Sequence, residues 1–187
     1  MADAEGNVAS FVCSLYSGFG TGVVMGELGF ILNARASYFS LVPGHANSLV
    51  PRKRPRSTLQ SSVVTKGGAF AIVLGSPGGD DQCMRTMQTF LNIAEFGMNI
   101  QEAIEAPRWS TRSFPSSPFP HIMRPGDLGV EERIPMEVRE KLTTKGHKVT
   151  VHGPWYLGKN AGIFFDASSR VYSAGADPRV EAYALAY

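Results

Sequence analysis

Cysteine is scarce in this 187-residue chain, histidine is little commoner, and the charges nearly cancel. The two cysteines, Cys13 and Cys83, stand far apart in apolar surroundings, which leaves buried free thiols as the reading. Four scattered histidines (His45, His121, His147 and His152) add no metal-ligand spacing, so neither a metal nor an organic cofactor is expected. A net charge of +2 is too small to argue for a nucleic-acid or membrane partner. No apolar run approaches the ~20 residues of a membrane-spanning helix. Met1-Ala2-Asp3-Ala4-Glu5 has neither the basic start nor the apolar core of a signal peptide. A complete gene product beginning there is expected in the cytoplasm; the compartment is otherwise open.

What is present is glycine, proline and enough apolar surface for a core. Twenty glycines and twelve prolines imply many turns, and 43% hydrophobic against 18% charged residues suits one globular domain over 1–187. Phe70-Ala71-Ile72-Val73-Leu74 has the length of a buried strand. Asp80 onward opens a helical pattern, with apolar rows at Met84, Met87, Leu91 and Ala94 and at Cys83, Met87, Phe90 and Ala94, ending by Gly97. Between strand and helix lies Gly75-Ser76-Pro77-Gly78-Gly79. Glycine exposes bare N–H groups and tolerates positive φ, and a helix start adds unpaired donors. Strand, glycine turn and helix therefore suit a phosphate, a carboxylate or an oxyanion, or else a tight connection with no ligand.

Around this unit, Asp3-Ala4-Glu5-Gly6-Asn7 reads as a hairpin tip followed by a strand from Val8 to Tyr16. With two residues ahead of Asp3, the chain reads as starting halfway through a structural unit. Phe19-Gly20-Thr21-Gly22 is a turn, and Phe30-Ile31-Leu32 a short buried strand. Residues 40–57 form a long loop whose basic cluster, Arg52-Lys53-Arg54-Pro55-Arg56, reads as a localisation signal, an anion patch or a solvated loop. Ser61–Lys66 and Ala69–Leu74 pair across Gly67-Gly68. Asn99 with Glu102 resembles a capping box for a helix that Pro107 ends. Residues 108–125 are expected to be irregular, a third helix to run from Pro135 to Gly146, and strands to follow at 148–152, 162–166 and 171–174. Strands and helices in blocks favour α+β layers. Without further comparison, Ser14, Ser57, Thr58 and Ser76 are hydroxyls with no partnered base, and Asp80-Asp81 read as acid/base carboxylates or, better, as first-turn acids.

Phe19-Gly20-Thr21-Gly22, Lys53-Arg54-Pro55, Gly75 to Gly79, Asn99 to Arg108, Lys145-Gly146-His147 and Ala176-Asp177-Pro178-Arg179 occur in that order. In this series the chain resembles the small, C-terminal subunit of the gamma-glutamyltranspeptidase family, from about Asp3 to its end. The resemblance implies an N-terminal-nucleophile hydrolase fold of αββα layers shared with a large subunit cut from the same precursor, or with a second copy of the chain. It implies acyl-enzyme chemistry on a small-molecule amide, γ-glutamyl or glutaryl, with an N-terminal threonine as nucleophile and its own amine as base.

By the same resemblance Gly78 and Gly79 supply the oxyanion-hole N–H groups. Ser57 and Thr58 hold the donor's carboxylate, and Ser14 supports the nucleophile. The threonine segment that precedes the Asp-x-x-Gly-Asn turn in the family is not among these residues. The chain alone is therefore expected to be inactive, either as part of an enzyme or as a non-catalytic homologue that binds a carboxylate ligand or a protein. Tyr16, Arg35 and Tyr38 stand where the family binds the donor's ammonium. A guanidinium there favours a carboxylate, as in the acylase-like branch. Surface meant for a large subunit is expected to leave the isolated chain dimeric, aggregating or marginally stable.

Overall fold

In the computed structural model, which describes residues 1–186, the β1–β2 hairpin is the spine. Strand β1 (Gln60–Lys66) pairs antiparallel with β2 (Ala69–Ser76) through Gly67 and Gly68, whose φ values of 60° and 82° are those of a type I′ turn. After β2 come α1 (Gln82–Ala94) and α2 (Ile100–Glu105). Strands β3 (Trp109–Thr111) and β4 (Asp127–Glu131), helix α3 (Met136–Thr144), and strands β5 (Lys148–His152), β6 (Ala161–Asp166) and β7 (Val171–Ala176) complete the order. The main sheet runs β1-β2-β6-β7, antiparallel throughout; a second runs β3-β4-β5, with β4 and β5 parallel across α3. This is an α+β fold.

Alternation along β2 decides the core. Ile72 and Leu74 face Ile100 and Ile104 of α2, with Phe90, Ile93 and Phe164 against them. Helix α2 comes this close because β6 and β7 carry glycine beneath it. A Cβ on Gly162 would lie 2.7 Å from Leu74 Cδ2, and one on Gly175 2.9 Å from Ile104 Cδ1. The predicted capping box is present: the Glu102 N–H donates to Asn99 Oδ1 at 2.9 Å and the Asn99 N–H to Glu102 Oε2 at 3.0 Å. A helix of six residues depends heavily on its cap. Asn99→Ala should therefore cost about 1 kcal/mol in urea unfolding; an unchanged midpoint would show that packing alone holds α2.

Several expectations are corrected. Of the apolar rows of α1 only Phe90 packs against the core: Met87 is 56% exposed, and Cys83, Leu91 and Ala94 are also open. The buried face is Gln82, Arg85, Thr86 and Thr89, because α1 meets the hairpin through hydrogen bonds. Gln82 Oε1 accepts from the Gln60 N–H, and Thr86 Oγ1 donates to Gln60 Oε1. Cys13 and Cys83 are exposed, not buried, Cys83 on that outer face. Residues 9–15 form no strand, since both edges of β2 are already taken by β1 and β6; Ser10 Oγ donates to the Leu74 carbonyl instead. Phe30 to Leu32 is a paired but exposed segment, bridged at Val24 and Ile31. β3 and β4 lie in or beside the stretch expected to be irregular. The apolar tail ends at Tyr187, outside the described residues.

The surface is unusually large. The chain exposes 12138 Å², whereas a compact chain of 187 residues would expose about 8,800 Å².

Candidate active site

Sheet register builds the site. Gln60 lies opposite Ser76, so the residues just before β1 and just after β2 leave the same end of the hairpin. Thr58 is on one side and Gly78-Gly79 on the other. Gly78 (φ 98°) and Gly79 (φ 68°) occupy the left-handed region that glycine alone enters freely. Their N–H groups donate to no acceptor among the described residues.

The segment 9–15 runs towards this end, since a Cβ on Gly75 would lie 3.7 Å from Ser10 Oγ and from Val12 Cγ2. Ser14 Oγ accepts the Tyr16 N–H at 2.9 Å, and Tyr16 itself has φ 76°, a strained value for tyrosine. Its ring stands edge-on to Tyr38 at 4.8 Å. Tyr38 OH lies 3.3 Å from Thr58 Oγ1, and Arg35 Nη1 donates to the same hydroxyl at 3.4 Å. Arg35 is not a surface side chain: it is 8% exposed, and no carboxylate among the described residues pairs with it. Ser57 stays outside this group, exposed, its Oγ accepting the Leu59 N–H.

A proline-rich strap joins the two halves. The Ser117 N–H donates to Asp80 Oδ2 at 3.0 Å and its hydroxyl to Oδ1, while the Phe119 N–H donates to the Ser37 carbonyl at 2.9 Å. Between strap and glycine turn lies a cleft of about 380 Å³, with Gly78 and Gly79 on one wall and Arg112 and Arg124 on another. Asp80 is an anchor for the strap, a role that its place after a glycine turn does not reveal. Sequence reasoning also passed over Arg85, which grips the turn. The signal was available: Gln82, Thr86 and Thr89 form a polar stripe at helical spacing beside it. Among the described residues no group of three or more His, Cys, Asp or Glu side chains could hold a metal ion, and no helix is long and apolar enough to cross a membrane.

An α+β fold carrying this turn is the corresponding part of an N-terminal-nucleophile hydrolase, as its likeness to solved structures shows. The gamma-glutamyltranspeptidase of Pseudomonas nitroreducens complexed with L-DON superposes with a TM-score of 0.81 at 26% identity, over 100% of this chain and 97% of that one. The cephalosporin acylase of Bacillus halodurans gives 0.78 at 32%, over 90% of this chain and 30% of that one. The family model for gamma-glutamyltranspeptidase matches residues 1–187, and the chain belongs to that family. The glutathione hydrolase-like YwrD proenzyme of Bacillus subtilis (strain 168) is 36% identical over 185 residues, 98% of this chain and 34% of that protein. The chain thus spans about a third of the length of the curated relatives it matches.

Proposed function

We propose that residues 1–187 act as the small-subunit-like domain of an enzyme that cleaves or transfers an acyl group from an amide whose acyl end carries a carboxylate, glutaryl rather than γ-glutamyl. Buried Arg35, bonded to Thr58 and without an acidic partner among the described residues, carries the reading: a guanidinium attracts a carboxylate and repels an ammonium. Thr58 and Tyr38 add hydroxyls to the same anion. At the other end of the acyl chain the free Gly78 and Gly79 N–H groups would receive the oxyanion, and Ser14 would support the nucleophile. The threonine nucleophile that the family resemblance implies is not among these residues, so the chain alone should be inactive.

Two features favour a large-subunit partner. The relative from Bacillus subtilis is a proenzyme. The exposed area exceeds that of a compact chain by about 3,300 Å², the scale of an obligate interface. Co-expression with a large subunit and a threonine-led segment ahead of Asp3 should restore turnover, with glutaryl amides preferred over γ-glutamyl amides by about tenfold or more. Arg35→Gln should erase that preference. No turnover of either amide would sink the enzymatic reading, and an unchanged preference in R35Q would sink the role of Arg35.

A further inference from the structure

The glycine turn is gripped from behind by one side chain, and we propose that Arg85 is the positioning residue of the Gly78–Gly79 anion site, with Gly158 as the cradle that makes room for it. The proposal rests on the reading of the glycine pair as an anion site. Arg85 is 5% exposed. Its Nη2 donates to the Pro77 carbonyl at 2.6 Å and to the Gly78 carbonyl at 2.8 Å. Its Nε donates to Ser76 Oγ at 3.0 Å, and Ser76 Oγ donates onward to the Lys159 carbonyl at 2.8 Å. Its Nη1 lies 3.5 Å from Asp81 Oδ2.

The two carbonyls belong to the peptides whose N–H groups are those of Gly78 and Gly79. In a trans peptide C=O and N–H point in opposite directions, and both of these peptides are trans. Binding both oxygens to one nitrogen therefore turns both N–H groups to the side away from the guanidinium. A glycine pair at φ 98° and 68° has little steric preference of its own, so a fixed orientation needs such an outside hold. Arginine suits the task because its planar fork serves several acceptors at fixed angles, which a lysine ammonium does not.

Gly158 completes the device. At φ 80°, a Cβ there would lie 2.7 Å from Arg85 Cζ and closer still to Cδ and Nε. The loop cannot yield, since its neighbour Leu157 donates its N–H to buried Glu131 and accepts from Arg108.

Nuclear magnetic resonance on the isotope-labelled chain, with glutarate as probe, tests this. Through-hydrogen-bond couplings from Arg85 Nη2 to the Pro77 and Gly78 carbonyl carbons should be visible in the unaltered chain. R85K and G158A (both keep the charge, and the second keeps the arginine) should shift the Gly78 and Gly79 amides and speed their exchange, leaving Val73 and Ile163 unmoved. Glutarate should shift Gly78, Gly79 and Thr58 in the unaltered chain. In both variants it should bind about tenfold more weakly and still shift Thr58. Absent couplings, or variants with unaltered glycine amides and glutarate affinity, overturn the proposal alone. Glutarate that binds without moving Gly78 and Gly79 overturns the anion-site reading as well, and the two failures are thereby told apart.

Discussion

Arg179→Met is expected to cost about 3–5 kcal/mol, a large share of the 5–15 kcal/mol that holds an ordinary domain together. Arg179 Nε and Nη2 donate to the two oxygens of Glu131 at 2.6 and 2.7 Å, and Nη1 donates to Asp177 Oδ1 at 3.0 Å. Asp177 Oδ2 is held by Arg108 Nη1 at 2.7 Å. Glu131 and Asp177 have fully buried side chains, so deleting Arg179 strands Glu131 against Leu157 and Arg133 with its main partner gone. The same arginine donates to the carbonyls of Ile104 and Ala106, closing the C-terminal end of α2. Urea unfolding measures the loss, and a destabilisation below 1 kcal/mol would mean that water replaces the guanidinium.

The network also sets the acid limit of stability. Burial alone pushes the Glu131 carboxyl up, but the hydrogen bonds from Arg179, Leu157 and Arg133 outweigh it and hold its pKa below the ordinary 4.5. A depressed carboxyl contributes stability above that ordinary value and loses it as pH falls through the folded value. Unfolding free energy should therefore drop below about pH 4.5, and Glu131→Gln should flatten that slope while lowering the plateau.

The second large effect belongs to the glycine turn. If the proposed function holds, then in the chain co-expressed with a large subunit and a threonine-led segment Gly78→Ala is expected to lower kcat by about 10²–10³. Its N–H survives the change, but a side chain resists φ 98°, and the added Cβ would meet Arg85 Nη2 at 3.4 Å. The peptide must rotate, carrying the donor away from the developing oxyanion. Because that charge forms only in the transition state, KM should change far less than kcat. Single-turnover acylation of a chromogenic amide separates the two. A kcat within threefold of the unaltered protein would remove Gly78 from the mechanism.

Local chemistry was legible in the residues. Gly67-Gly68 could only turn a hairpin, Asn99 with Glu102 could only start a helix, and Pro135 with Gly146 bracketed another. The turn between β2 and α1 stood out because three glycines in five residues between a strand and a helix suit either an anion site or a tight connection, and the family motifs favoured the first. Family membership was legible too, since six separated motifs in one order leave few alternatives. The setting of Arg35 was half legible: the resemblance singled the residue out, but its burial on Thr58 and Tyr38 was not visible.

The apolar rows marked α1 as a helix but not which of its sides is inner. Hydrophobic periodicity identifies the inner face only when the inner face is apolar, and here Gln82, Arg85, Thr86 and Thr89 bond inward while Met87 and Leu91 look out. The strands β3 and β4 were missed because three- and five-residue segments among prolines carry no period of their own.

The sequence by itself determined the turns, the caps, the core strand β2 and the family, because each depends on a few neighbouring residues or on motif order. The resemblance had grouped Thr58 with Gly78, but only tertiary structure supplied the reason, because register, not proximity in sequence, sets them at one end of a hairpin. It alone made Arg85 a clamp and Gly158 its seat, because contacts between residues 73 positions apart leave no local trace. It alone turned Met87 and Leu91 outward and Phe90 onto the core, because a helix shows which side is inner only once its partners are in place.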